Sequence, residues 1–181
     1  MSGEARVHGA LLEVLETGVL LLGPSGIGKS ECALDLIARG YPLIADDVVR
    51  LRREGDKLSG SAPEAIRFFM ELRGIGLLYL PDLYGADSVR ESGPVDLVCR
   101  LEEWREGAEF DRVGDERPRE SFAGVELPVV RLPARPAGSM ATLIEAAVRD
   151  HRNRRTGATG AERIDAAMRR RPKVSSADAE K

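Results

Sequence analysis

"TGVLLLGPSGIGKSECALDLIARG", Thr17 to Gly40, decides the architecture. It is a short apolar run, a glycine-rich turn and an amphipathic run stopped by Gly40 with Pro42 behind it. The order predicts strand, loop and helix. The turn, Gly23, Pro24, Ser25, Gly26, Ile27, Gly28, Lys29 and Ser30, matches G-x-x-x-x-G-K-[ST]. Glycines let consecutive backbone N–H groups turn inward and form an anion nest at a helix N-terminus. Lys29 adds a positive charge for the β- and γ-phosphates, and the Ser30 hydroxyl is placed to bind Mg²⁺. The stretch therefore points to a nucleotide phosphate. It does not say what the phosphate is used for, because motors, switches, transporters and kinases share the loop.

Outward from the loop, the chain reads as an α/β protein. Apolar runs bounded by Gly, Pro or Asp recur in "GALLEVLETGVLLLG", "YPLIADDVVRL", "GIGLLYL", "PVDLVCRL" and "VELPVVRLP", and they predict strands. Alternation in "LLEVLET" predicts a half-exposed strand hairpinned to "GVLLL" through Thr17–Gly18. "MATLIEAAVRDHRNRR" predicts a helix with Met140, Leu143, Ile144, Ala147, Val148 and His151 on one face. "PEAIRFFME" predicts a further helix after Pro63. Strands outnumber helices without alternating regularly, so a mixed sheet around a P-loop core is expected. One domain over residues 1–168 is expected, followed by a disordered tail over 169–181.

Composition narrows the class. Of 181 residues, 43% are hydrophobic and 31% charged, an ordinary balance for one globular domain. The net charge of −3 speaks against a general nucleic-acid binder. The two cysteines, Cys32 and Cys99, have no metal-ligand spacing, and the expected compartment is the reducing cytoplasm. No run reaches the length of a membrane span, and "MSGEARVHG" lacks the apolar core of a signal peptide.

Phosphoryl transfer needs more than a cradle: metal ligands, a base and positive charge near the transferred oxygens. "LIADDVV" brings an apolar strand into Asp46–Asp47. Neighbours on a regular strand face opposite ways, so one aspartate is expected to meet the phosphates and the other to be held by structure. The pattern alone does not choose between them. In "MELRGIGLLYL", Glu71 could bind Mg²⁺ and Arg73 phosphate oxygens; read alone they are equally an internal ion pair. Arg112 in "EFDRVG" lies in a loop from which it could reach across a site. His8, one of two histidines, precedes the first strong strand.

Together these pieces resemble the catalytic domain of bacterial HPr kinase/phosphorylase, which phosphorylates a serine of the phosphocarrier HPr. "HGALLEV", the loop stretch through "IADDVV", "MELRGIGLLYLPDLYGADSVRES", "LEEWREGAEFDRVG" and "LIEAAVRDHRNRRTG" carry the resemblance in order along nearly the whole chain. It implies that Lys29 binds phosphate, Ser30 and Glu71 hold Mg²⁺, and Asp47 accepts the proton of the substrate serine. It further implies that His8 and Arg112 complete the catalytic set and that "MELRGIGLLY" serves both directions. ATP and Mg²⁺ are the implied cofactors, HPr or a relative the implied partner, and phosphate and pyrophosphate the reagents of the reverse reaction. The implied fold is the mixed α/β core shared with phosphoenolpyruvate carboxykinases, and the implied assembly a homohexamer.

Two departures bear on function. Few residues precede His8, so a short form lacking the family's N-terminal domain is expected. The family's "P-V-x-x-G-R-N-L", associated with dephosphorylation, is replaced by "PARPAGSMA" (Pro133 to Ala141), with Gly138 and Ser139 where arginine and asparagine are expected. A kinase with weakened phosphorylase activity follows. A small-molecule P-loop phosphotransferase and a non-catalytic nucleotide sensor are the other classes that the loop admits.

Overall fold

A computed structural model describes residues 3–104, 117–134, 138–157 and 159–169. The strands are β1 (Glu4–His8), β2 (Ala10–Val14), β3 (Thr17–Leu22), β4 (Leu43–Ala45), β5 (Val48–Glu54), β6 (Lys57–Ser61), β7 (Phe69–Leu72), β8 (Gly76–Tyr79), β9 (Ser92–Pro94), β10 (Leu97–Glu103), β11 (Arg119–Phe122) and β12 (Val125–Ala134). The helices are α1 (Lys29–Ala38), α2 (Leu80–Tyr84), α3 (Met140–Arg154) and α4 (Gly160–Arg169).

The predicted mixed sheet is present as six strands in the order β11-β12-β10-β3-β2-β4. β10 runs parallel to both β3 and β12, while the other pairings in this sheet are antiparallel. A second, antiparallel sheet has the order β1-β5-β6-β9, and β7 pairs with β8 alone. Three layers result. One face of the large sheet packs Leu12, Val19, Leu21 and Cys99 against Cys32 and Leu36 of α1 and Ile144 and Val148 of α3. Its other face packs Leu11, Leu20 and Val98 against Val49, Leu51 and Leu58 of the second sheet.

Burial on both faces explains why all six residues of β3 are buried, as the unbroken "VLLL" leads one to expect. It also overturns the half-exposed reading of β2. Leu11, Leu12 and Val14 are fully buried, because β2 is sandwiched between layers and flanked by β3 and β4. The hairpin turn falls at Leu15–Glu16, with φ of 50° and 59°, two residues earlier than predicted. Positive φ at both central residues matches strand twist, and Thr17 and Gly18 already belong to β3.

α1 ends as expected. Gly40 has φ 92°, and the N–H groups of Gly40 and Tyr41 return to the carbonyls of Ile37 and Leu36, closing the helix with a left-handed cap. The helix predicted after Pro63 is only a 3-10 turn, Glu64–Ile66, followed by β7. Phe68 at φ 71° breaks the run, and Met70 and Leu72 then alternate inward on a strand. On α3, Ile144, Ala147 and Val148 are buried as predicted, but Leu143 is exposed and Ala141 takes its place in the core. α4 was not foreseen as a separate helix and buries no side chain. Both cysteine thiols are buried, and burial pushes each up to about 12. Among the described residues no helix is long and apolar enough to cross a membrane.

Candidate active site

The phosphate loop leaves β3 at the C-terminal end of the parallel strands, the usual place for ligands in such sheets. Gly23, Gly26 and Gly28 have φ of 152°, 79° and 97°, conformations that only glycine adopts without strain. Gly28 immediately precedes Lys29, the first residue of α1, so the nest and the helix N-terminus coincide. Lys29 is buried, and its Nζ donates to the carbonyls of Gly23 and Pro24 at 2.9 Å each. Burial lowers its pKa, opposed by the charges of Asp46, Asp47 and Glu31.

Asp46 and Asp47 occupy a corner. β4 belongs to the large sheet and β5 to the second one, so the chain must change sheets between Ala45 and Val48. β1 and β2 make the same change at Gly9, whose N–H donates to the Asp47 carbonyl at 3.1 Å. A Cβ on Gly9 would come within 2.4 Å of the Leu21 carbonyl oxygen, so a side chain there would force the corner apart. Asp47 has φ 67°, a left-handed conformation that aspartate tolerates better than most residues.

The corner removes the strand alternation that would have sent the two aspartates apart. Both line one cavity of about 390 Å³ together with His8, Lys29, Ser30, Glu71 and Arg73. Yet they do different things. Asp46 is buried and accepts from the Ser30 hydroxyl, with Ser30 Oγ 3.1 and 3.3 Å from its two oxygens. Burial pushes its pKa up to about 6, against the Ser30 bond and the Asp47 backbone N–H, which favour the anion. Asp47 is exposed, and its Oδ1 lies 3.0 Å from His8 Nδ1. His8 reaches it because β1 and β5 pair in register, His8 opposite Val48.

Of the residues singled out in the sequence, His8, Lys29, Ser30, Asp47 and Glu71 are thus brought to one cavity. Arg112 lies outside the described residues, as does the tail from residue 170. The partner of Ser30 is Asp46, so the aspartate expected to be held by structure is held by the hydroxyl expected to bind Mg²⁺. The signal was present in the doublet itself, since two adjacent acids can share a site only where a strand breaks. Among the described residues no three His, Cys, Asp or Glu side chains form a metal cluster. Ser30 with Asp46 is instead an oxygen-only pair beside a phosphate nest, which suits Mg²⁺ that takes most of its ligands from phosphate and water.

The substituted loop is equally informative. Ser139 caps α3 by accepting from the Thr142 N–H at 3.2 Å, accepts from Arg39 Nη2 at 2.7 Å and donates to Asp35 Oδ2 at 2.8 Å. Asp35 and Arg39 stand in the last turns and at the C-cap of α1, roughly 9 and 15 Å along the helix from Lys29 at about 1.5 Å per residue. Residues 135–137 lie outside the described residues.

Comparison with known proteins agrees with this fold. A model of the HPr Serine kinase C-terminal domain matches residues 1–168. An HPr kinase/phosphorylase of Caldanaerobacter subterraneus subsp. tengcongensis is 48% identical over 166 residues, covering 91% of this chain and 54% of the relative. That of Geobacter sulfurreducens is 45% identical over 146 residues, covering 80% and 46%. The chain thus spans about half the length of the curated relatives it matches. The solved HPr(Ser) kinase/phosphatase of Coxiella burnetii superposes with a TM-score of 0.77 at 33% identity, over 84% of this chain and 99% of that one.

Proposed function

The chain belongs to the HPr serine kinase C-terminal domain family, and from that premise we propose that it is an ATP- and Mg²⁺-dependent kinase for a serine of HPr or a related phosphocarrier. The observation that carries the proposal is the meeting of the nest, the Ser30–Asp46 pair and the His8–Asp47 pair at one cavity. A sensor needs the first of these but has no use for an exposed carboxylate beside a histidine.

The nest and Lys29 receive the triphosphate, with the Lys29 ammonium, already directed at the loop, balancing its charge. Ser30, backed by Asp46, and Glu71 would hold Mg²⁺, which supplies charge neutralisation on the phosphate oxygens. Asp47, open to solvent, takes the proton of the acceptor serine as the phosphoryl group moves in line. His8 holds that carboxylate from the side. Arg112 is assigned to the charge of the transferred group by the resemblance alone.

In reverse, inorganic phosphate would attack the phosphorus of phosphoserine, forming pyrophosphate as the bond to the serine oxygen breaks, and Asp47 would return the proton to that oxygen. We assign this direction a minor role, because Gly138 and Ser139 bring no cation and Ser139 is engaged in its cap. Exposed Ile75, Leu77, Leu83, Ile164 and Met168 support a homo-oligomer, with the hexamer as the expected form; sedimentation measures it.

Labelled ATP with Mg²⁺ and purified HPr tests the reading. One phosphoserine on HPr is expected. Steady ATP turnover that labels metabolites but no protein would transfer the chain to the small-molecule kinases.

A further inference from the structure

A cavity of about 840 Å³ lies away from the phosphate loop. It lies on the outer face of the second sheet and is lined by Arg6, Arg50, Arg52, Ser59, Ser61 and Ser92 among others. Pairing sets its chemistry in rows. Arg6 stands opposite Arg50, Arg50 opposite Ser61, and Ser61 opposite Ser92, one rung across all four strands. Spacings of about 4.8 Å per strand make this rung roughly 14 Å wide.

Every side chain on the rung offers hydrogen-bond donors. Like charges directly opposite each other on a sheet are unfavourable, yet among the described residues neither Arg6 nor Arg50 has an ion-pair partner. On the next rung Arg52 is matched by Glu54 at 2.7 Å. The cationic rung is therefore local, on a chain whose net charge is −3. It is also placed: Glu4, Arg6 and His8 alternate outward on β1, so the rung lies one step along the same face from the His8–Asp47 pair.

We propose that the outer face of this sheet docks the acceptor protein, an acidic segment of which lies across the Arg6–Arg50–Ser61–Ser92 rung and presents its serine to Asp47. The inference rests on the kinase reading above and adds the surface and its charge. The rung is wider than one phosphate ion and leads to the base rather than to the nest. Among the described residues the rung itself carries no apolar side chain, which suits a transient polar interface. A second copy of the chain does not suit it, since a two-fold contact would set the arginines against themselves.

The test uses the full chain and purified HPr, with Arg6→Ala/Arg50→Ala, Arg6→Glu/Arg50→Glu and the conservative Arg6→Lys/Arg50→Lys. Two lost charge pairs predict a roughly ten-fold rise in KM for the acceptor. A larger rise is expected for the glutamate pair and partial rescue by lysine, with the effect falling on KM rather than kcat. Salt should weaken wild-type transfer more than that of the alanine pair. Direct titration of HPr onto each variant gives the same ranking whether or not transfer occurs, so failure of the kinase reading is seen in the wild-type assay alone. Equal binding and equal KM across the variants would overturn the docking surface. So would variants whose only change is a lost response to added inorganic phosphate, which would make the rung a small-anion site.

Discussion

The floor and the lip of the candidate site are built from neighbouring residues and behave oppositely. On the floor, Lys29 and Asp46 are buried, and both have their charged forms disfavoured by burial. At the lip, His8 and Asp47 face solvent, with side-chain exposures of 54% and 68%. One peptide bond separates Asp46 from Asp47. The difference teaches that a sheet-switching corner can give adjacent identical residues opposite surroundings, the condition that the proposed division between metal binding and proton transfer needs.

The largest effect should come from separating the two aspartates. Asp47→Asn should lower phosphotransfer by roughly 10²–10⁴-fold, the usual contribution of a general base, with ATP affinity kept. Asp46→Asn should act first on Mg²⁺-dependent nucleotide affinity. Isothermal titration beside turnover reads both, and the division collapses if Asp46→Asn stops chemistry while Asp47→Asn turns over normally. Lys29→Ala belongs with the floor and should lose most turnover, because a phosphate charge goes unpaired.

Acidity sharpens the same contrast. In the folded chain burial lets Asp46 keep its proton up to about pH 6, against an ordinary aspartate value of 3.8. Between those values the folded form binds more protons than the unfolded one. Stability therefore falls as pH rises from about 4 to about 6 and stays reduced above that window, by roughly 3 kcal/mol for a gap of about two pKa units. In metal-free buffer the difference in Tm between Asp46→Asn and the parent should grow across this window and then level off. A parallel offset at every pH would mean that the Asp46 carboxylate carries no desolvation penalty.

A smaller effect concerns direction. A lost hydrogen bond to a charged group is worth roughly 1.5–3 kcal/mol, about ten- to a hundred-fold, and pyrophosphate release from phosphoserine should trail forward transfer by that margin. Equal rates in millimolar phosphate would show the substituted loop to be silent. Least of all, Ser139→Ala should destabilise the fold by about 1 kcal/mol through the lost cap, read by urea unfolding, with forward kinetics little changed.

How far the sequence was legible follows from how local each signal is. The strand, nest and helix around Lys29 are adjacent in the chain, and the end of α1 at Gly40 matches the glycine rule. The mixed sheet was readable from the irregular spacing of strands. The role of Asp46 was not, because it depends on β4 and β5 joining different sheets, a decision made by partners far along the chain. The same holds for β2, whose Leu11 and Leu12 are buried on opposite faces by layers drawn from far along the chain. Phe68 ended a helical pattern through a backbone angle that composition does not encode.

Cys32 lies on α1, which follows the loop, and Cys99 on β10, the parallel neighbour of β3, inside one core cluster, with their thiols held in the neutral form. Only thiolates react with alkylating agents at useful rates. These two sulfurs are therefore silent in the closed molecule and become visible only when α1 lifts from the sheet. The protein carries its own clock for the opening of this core, and the rate at which it accepts a thiol label reports that opening without an introduced cysteine.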